Sequence, residues 1–102
     1  MQFAVINRMI RPDLTLNSKP HLQALVDHIA YVTKLREEGK VVLAGGFLDG
    51  AGGLDIIDVD TLEEAQEIYD NDPLRKALHI TQEIHPFGHR TEALINKLES
   101  MD

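Results

Sequence analysis

Five histidines are the side chains of this 102-residue sequence best suited to proton transfer near neutral pH, because the imidazole pKa is about 6.5. His21 and His28 share one helical face but lie roughly 10 Å apart along it, too far for one metal ion to bind both. His85 and His89 flank a Pro-Phe-Gly segment without acidic residues in a metal-binding pattern, and we interpret them as exposed polar side chains. The fifth is His79.

The remaining patterns argue against a thiolate nucleophile and a phosphate-binding loop. The sequence has no cysteine, which excludes a disulfide, a thiolate nucleophile and a Cys-ligated metal. Five glycines lie between residues 45 and 53, but a strand rather than a helix follows them, and this favours a flexible hairpin. We expect neither a cofactor nor a bound metal.

Composition is typical of one ordinary soluble domain, with 43% hydrophobic and 26% charged residues. The formal net charge is −7 with no basic cluster, which argues against nucleic acid and anionic membranes as partners. The first residues lack a basic region followed by a long apolar one, so we predict a cytoplasmic protein without a signal peptide or membrane span. Because so short a chain buries only a modest core, we expect a sizeable ligand site to need a second subunit.

Apolar spacing predicts alternating strands and helices. Residues 20–38 carry apolar side chains at three- and four-residue steps, which indicates an amphipathic helix, and Gly39 follows as a stop. Thr61 and Glu64 have capping-box spacing at the start of a second helix, which ends before Pro73. The predicted strands are residues 3–10, 41–44, 54–59 and 80–86, with one helical turn at 74–78 and a C-terminal helix at 91–101.

This order of elements predicts an α+β fold, the ferredoxin-like βαββαβ pattern with an extra C-terminal helix. Right-handed crossovers place both long helices on one face of the sheet. The other face is left apolar and uncovered, so we predict a homodimer through this face.

Several short motifs, taken in order, resemble the YciI-like (YCII-related) family. The resemblance covers about residues 1–87 and rests on a helix histidine, Gly-x-x-x-x-Ala-Gly, Asp-Pro and a terminal Pro-Phe. The matching segments are His28-Ile29-Ala30-Tyr31-Val32, Leu35, residues 38–46, Glu63-Glu64-Ala65, Asp72-Pro73 and Ile84-His85-Pro86-Phe87.

The resemblance implies a dimeric α/β barrel, in which two ferredoxin-like sheets pack face to face and each subunit holds a pocket between sheet and helices. It divides the chain into a YciI-like domain at residues 1–87 and a C-terminal helical extension at residues 88–102. The extension either covers the pocket or enlarges the interface, which allows assemblies of dimers. The resemblance also implies a histidine and an aspartate facing a cleft, and the matching residues are His28 and Asp72.

Such a pair suits general acid–base chemistry, because a carboxylate beside an imidazole fixes its tautomer and raises its basicity. We predict that His28 and Asp72 lie within hydrogen-bonding or single-water distance and that the pKa of His28 exceeds about 6.5. The alternative is structural: Asp72 caps the turn before Leu74, and His28 is a half-buried helix residue.

Three classes of function remain open. The first, implied by the resemblance, is a cofactor-independent lyase, dehydrochlorinase or isomerase acting on a small cyclic metabolite through His28 and Asp72. The second is a non-catalytic module that binds a small molecule. The third is a protein-interaction dimer with an exposed apolar surface, for instance on Leu94, Ile95 and Leu98. A titrating His28 separates the first class from the second, because a binding module does not need one.

Overall fold

A computed structural model describes residues 1–101 of the chain. The elements are β1 (Gln2–Met9), α1 (Lys19–Glu37), β2 (Val41–Gly46), β3 (Gly52–Asp58), α2 (Leu62–Asp70), α3 (Pro73–Lys76), β4 (Ile80–Phe87) and α4 (Thr91–Glu99). The four strands form one antiparallel sheet in the order β2-β3-β1-β4. The predicted ferredoxin-like architecture is confirmed, and the observed bounds differ from the predicted ones by at most two residues.

Local chemistry sets the ends of the helices. Pro20 lies in the first turn of α1, where a missing N–H is harmless, and Gly39 follows the helix with a left-handed φ of +78°. At α2, Oγ1 of Thr61 accepts the N–H of Glu64 at 3.1 Å, as the capping-box spacing predicts. The Glu64 carboxylate reaches back but accepts the N–H of Asp60, 3.3 Å away, rather than that of Thr61 itself.

The sheet face toward α1 and α2 carries the main core. Phe3 and Val5 on β1 and Ile57 on β3 are at most 1% exposed and pack against residues of both helices. Alternate residues of a strand point to the same face, so Asn7 follows Phe3 and Val5 inward and Asp55 precedes Ile57. Two polar side chains therefore enter the core side of the sheet from neighbouring strands.

The opposite sheet face is incompletely buried; it is apolar along the middle of β1, β2 and β3 but polar along β4, where His85 pairs with Ala4 and Glu83 with Ile6. Ala4 pairs with Ile56 and Ile6 with Leu54 across β1 and β3, while Leu43 on β2 also pairs with Ile56. Paired residues of neighbouring strands share a face. We call the surface formed by Ala4, Ile6, Leu43, Leu54 and Ile56 the open face.

The C-terminal helix α4 adds nothing to the core. None of its residues is buried, and Leu94, Ile95 and Leu98 are 52%, 50% and 70% exposed. The Cα radius of gyration is 16.4 Å, against about 13 Å for a compact chain of this length. The molecule is therefore elongated, and its last helix leaves an apolar stripe in solvent.

Candidate functional site

A cleft of about 670 Å³ opens between α1, the core side of the sheet and the β2–β3 hairpin. His28 and Ile29 line its helix wall, and Asn7 and Asp55 line its sheet wall. This volume suits a small-molecule ligand. The cleft lies within one chain, so the expectation that a sizeable site needs a second subunit is wrong.

His28 lines this cleft, and Asp72 lies beside His28 but outside the cleft lining. Nδ1 of His28 is 2.8 Å from Oδ1 and 2.9 Å from Oδ2 of Asp72. The His28 side chain is 16% exposed and that of Asp72 is 0% exposed. The structure thus brings together two side chains that the sequence analysis paired from 44 positions apart. Because Nδ1 is turned toward a buried carboxylate, Nε2 is the ring nitrogen available to the cleft, and within residues 1–101 it has no hydrogen-bond partner.

Asp72 has a structural role as well. Its Oδ1 accepts the N–H of Leu74 at 2.9 Å, which caps α3 just ahead of Pro73. Its Oδ2 accepts a longer hydrogen bond, 3.3 Å, from Nε2 of Gln82 on β4. The two interpretations of Asp72 are therefore compatible, because one carboxylate both caps a helical turn and holds the imidazole of His28.

The surroundings of His28 favour its charged form. Burial lowers the pKa of His28, but the hydrogen bond to Asp72 and the negative charges of Asp72 and Asp55 outweigh burial. The net effect raises the pKa of His28 above its usual value of 6.5, the direction predicted from the sequence. Such an imidazole exchanges protons readily near neutral pH.

Asp55 is a second buried carboxyl group in the cleft wall, and the sequence analysis misses it. The residue is 3% exposed, and its Oδ2 accepts hydrogen bonds from the Tyr69 hydroxyl at 2.8 Å and from the Asn7 amide at 3.3 Å. Burial raises the pKa of Asp55 overall, although Tyr69, Asn7 and the charge of His28 act in the opposite direction. The one feature of the sequence that could have indicated Asp55 is its place at an inward-facing position of a strand.

A hydrogen-bonded chain of amides connects the two carboxyl groups. Nε2 of Gln82 donates to Oδ2 of Asp72 and, at 2.8 Å, to Oδ1 of Asn7. Nδ2 of Asn7 in turn donates to Asp55. Within residues 1–101, Oε1 of Gln82 is the single buried side-chain oxygen or nitrogen without a partner. The cleft therefore rests on a continuous polar layer that holds both carboxyl groups in fixed positions.

Two further histidines form a pair of their own. His21 lines the cleft, and its Nδ1 is 3.1 Å from Nδ1 of His79, with both residues at most 7% exposed. One ring must donate and the other accept, so the pair holds at most one shared proton at this contact. Burial, together with the charges of His21 and Arg11, lowers the pKa of His79. Sequence spacing gave no sign of this pair, because its members are 58 positions apart.

The last two histidines, His85 and His89, are exposed, as interpreted from the sequence. His85 lies 3.5 Å from Glu83, a weak surface pairing. Across residues 1–101, no three acidic or histidine side chains converge in a group that could hold a metal ion. In the same part of the chain, every helix is either too short or too polar to cross a membrane.

Comparison with known proteins relates this arrangement to a family. The family described as "YCII-related domain" matches residues 1–87, which is most of the chain. The chain belongs to the YCII-related family. Among curated proteins, this YCII-related chain is 40% identical over 47 residues to "Uncharacterized protein YjpA" of Bacillus subtilis (strain 168). That match covers 46% of this chain and 55% of YjpA, so the similarity spans about half the length of the relative.

Two solved structures share the fold of this YCII-related protein. One is 5-chloro-2-hydroxyhydroquinone dehydrochlorinase (TftG) from Burkholderia phenoliruptrix AC1100, in complex with 2,5-dihydroxybenzoquinone. It matches with a TM-score of 0.74 and 20% sequence identity, and the match covers 90% of this chain and 98% of that chain. The other is muconolactone isomerase, at TM-score 0.70 and 16% identity over 87% of this chain and 90% of that chain. Likeness at this level of identity establishes the fold, an α+β domain with a four-stranded antiparallel sheet.

Proposed function

We propose that this YCII-related protein is a cofactor-independent acid–base enzyme, of lyase, dehydrochlorinase or isomerase type, that acts on a small cyclic compound. One observation carries the proposal: a buried Asp72 holds Nδ1 of His28 at 2.8 Å, while Nε2 of the same ring is left for the cleft. A histidine held in this way transfers protons between its free nitrogen and a bound molecule.

Asp72 supports this role by fixing which ring nitrogen of His28 carries a hydrogen. In the neutral ring, Nδ1 keeps its hydrogen and donates it to the carboxylate, so Nε2 carries the lone pair that accepts a proton. In the charged ring, Nε2 carries a hydrogen that it can donate. The raised pKa of His28 extends the charged, proton-donating form to higher pH.

The shape of the cleft favours a flat ring. Gly46 and Gly53 are paired on the core side of the sheet, so this part of the floor has backbone but no side chains. The facing wall of α1 contributes Ile29 and Val32, which are apolar. TftG, which shares the fold, is a dehydrochlorinase with a bound quinone, and this also supports a cyclic ligand.

The active form that we propose is a cytoplasmic homodimer joined through the open face. The apolar side chains of Ala4, Ile6, Leu54 and Ile56 on the face away from the helices support this arrangement, and so does the dimeric α/β barrel that the family resemblance implies. A chain without cysteine needs no oxidising compartment. We also propose that residues 1–87 are the domain and residues 88–102 an extension, because no residue of α4 is buried.

One observation favours a second candidate, a protein-interaction role. The stripe of Leu94, Ile95 and Leu98 on α4 is at least 50% exposed and lies outside the apolar core. A projecting apolar stripe is typical of a helix that packs against another chain. This role is compatible with an enzyme in the same domain.

The experiment that tests the enzyme proposal is proton exchange on a small cyclic lactone. Wild-type protein is incubated with α-angelica lactone in heavy water, and deuterium incorporation next to the carbonyl is followed by NMR. We expect exchange above the buffer rate and a loss of about 100-fold or more in His28→Asn, with His85→Asn as the exposed control. Wild-type protein that binds 2,5-dihydroxybenzoquinone in calorimetry but exchanges no proton would be a binding module, and the proposal would be wrong.

A further inference from the structure

We propose that Asp55 is the general base of this site and that His28, as the imidazolium, is its general acid. The two side chains line the same cleft, His28 from α1 and Asp55 from β3. The inference rests on the proposed function and deepens it, because it assigns a direction to each proton transfer.

Of the two buried carboxyl groups, Asp72 is not available to a ligand. It is 0% exposed, does not line the cleft, and both of its oxygens accept hydrogen bonds from within the protein. Its role is to position His28. A second carboxyl group that does line the cleft is therefore the candidate for direct contact with a bound molecule.

The hydrogen bonds of Asp55 leave one oxygen unused. The donors Tyr69 and Asn7 both approach Oδ2, and within residues 1–101 no donor approaches Oδ1. Two donors on one oxygen fix the plane of the carboxyl group and leave Oδ1 for the cleft. Burial also makes the carboxylate a stronger base than an exposed aspartate, because it raises the pKa of Asp55.

Electrostatics decide which group is base and which is acid. The charge of Asp55 helps to raise the pKa of His28, and the charge of His28 acts to lower that of Asp55. The arrangement with cationic His28 and anionic Asp55 is therefore mutually stabilised. The other ionisable groups around this pair are Asp72 at the start of α3, Tyr69 on α2, and His21 and Arg36 on the α1 wall.

The proton balance of the proposed step closes without a cofactor. Oδ1 of Asp55 takes a proton from a carbon next to a carbonyl, and the C–H electron pair becomes a new carbon–carbon double bond. The carbonyl π pair moves to oxygen, which takes the proton from Nε2 of His28. Where the substrate carries a β,γ double bond, the product of this step is a dienol. The γ carbon then takes the Asp55 proton, the carbon–carbon double bond shifts to the α,β position, and the enol proton returns to His28, so no proton is gained or lost.

The first test compares Asp55→Asn with wild type on α-angelica lactone in heavy water. Asparagine keeps the shape and hydrogen-bonding capacity of the side chain but accepts no proton, so we expect deuterium incorporation to fall about 100-fold or more. The control is Asp58→Asn, a change on the same strand at an exposed side chain. The exchange rate of wild type should fall on the acid side as Asp55 is protonated and on the alkaline side as His28 loses its proton. Exchange unchanged in Asp55→Asn would overturn the assignment.

The second test needs no activity. Protein labelled with ¹³C at aspartate carboxyl carbons is titrated by NMR, with Asp55→Asn to assign the signal of Asp55. We expect Asp55 to titrate above the usual aspartate range, and the pKa of His28 to be lower in Asp55→Asn than in wild type. An ordinary aspartate pKa together with an unchanged His28 would overturn the inference. A wild type that is inert towards the lactone contradicts the proposed function itself, whereas an active Asp55→Asn contradicts only the assignment of the base.

Discussion

The hydroxyl of Tyr69 on α2 donates to Oδ2 of Asp55 on β3 across 2.8 Å, and both residues are at most 3% exposed. Burial and the nearby charge of Asp55 raise the pKa of Tyr69, so the hydroxyl remains a proton donor over the working pH range. A helix that does not line the cleft therefore controls the orientation of a carboxyl group that does.

The Tyr69–Asp55 contact predicts the behaviour of Tyr69→Phe. Removing the hydroxyl leaves the buried carboxyl group with one donor fewer, so the free energy of unfolding in urea should fall by about 1–3 kcal/mol. The pKa of Asp55 should rise, because the hydrogen bond from Tyr69 acts to lower it. Tyr31→Phe is the matched control: its hydroxyl donates to the Ile68 carbonyl at 2.6 Å and should not change the titration of Asp55.

Asp72→Asn should uncouple the imidazole from its carboxylate. Asparagine is also a good cap for α3, so folding should survive, but the pKa of His28 should fall because the opposing charge is gone. NMR titration of the His28 ring measures this directly. Asp70→Asn, which removes a surface partner of Arg75, serves as the control and should leave His28 unchanged. If the pKa of His28 is identical in Asp72→Asn and wild type, Asp72 acts only as a helix cap.

The raised pKa of His28 also predicts how stability depends on pH. The folded protein binds this proton more tightly than the unfolded chain, so the contribution is fully present below about pH 6.5 and is lost as the pH rises through the folded pKa. His79 has a lowered pKa and acts in the opposite sense: its contribution is present above about pH 6.5 and is lost as the pH falls toward its folded pKa. Urea unfolding across this pH range measures these effects. The free energy of unfolding should fall less at alkaline pH in His28→Asn than in wild type, and less at acid pH in His79→Asn than in wild type.

The glycine floor of the cleft predicts a contrast between two neighbouring positions. A side chain at Gly46 would point to the core side and meet only the carbonyl oxygen of Gly52, at 3.8 Å. A side chain at Gly45, which is paired with Leu54, would point to the other face and meet nothing within 4 Å. Both valine variants should fold, and Gly46→Val should weaken binding of 2,5-dihydroxybenzoquinone about tenfold or more, which is ~1.4 kcal/mol. Equal affinities in calorimetry would place the ligand elsewhere.

The open face predicts the oligomeric state. Ile56 lies near its centre, so Ile56→Arg would place an unpaired charge inside a sheet-to-sheet interface and should convert the dimer to a monomer. Sedimentation velocity at micromolar concentration measures the change. Val26→Arg, at a position on α1 that is 53% exposed, should leave the dimer intact. A wild-type protein that is monomeric at that concentration would exclude the dimeric α/β barrel.

Periodicity was enough to predict the fold, because strands and helices bury alternate or three-to-four-spaced residues, and both patterns are visible in the chain. The network beneath the cleft was not predictable in this way. Asp55 and Asn7 occupy inward positions of otherwise apolar strands, where they look like interruptions of the pattern. Their partners come from other strands and helices, and only the register of the sheet brings Asn7 opposite Gln82. The pairing of His28 with Asp72 came from family motifs rather than from spacing.

The hydrogen bond between Gln82 and Asn7 joins positions 75 residues apart in the chain. Asn7 belongs to β1 and Gln82 to β4, so Asn7 is synthesised well before Gln82. A nascent chain that has not yet released β4 therefore has no complete polar layer and no fixed position for either carboxyl group. Contacts of such long range are slow to form, so the polar layer beneath the cleft is complete only after β4 has joined the sheet.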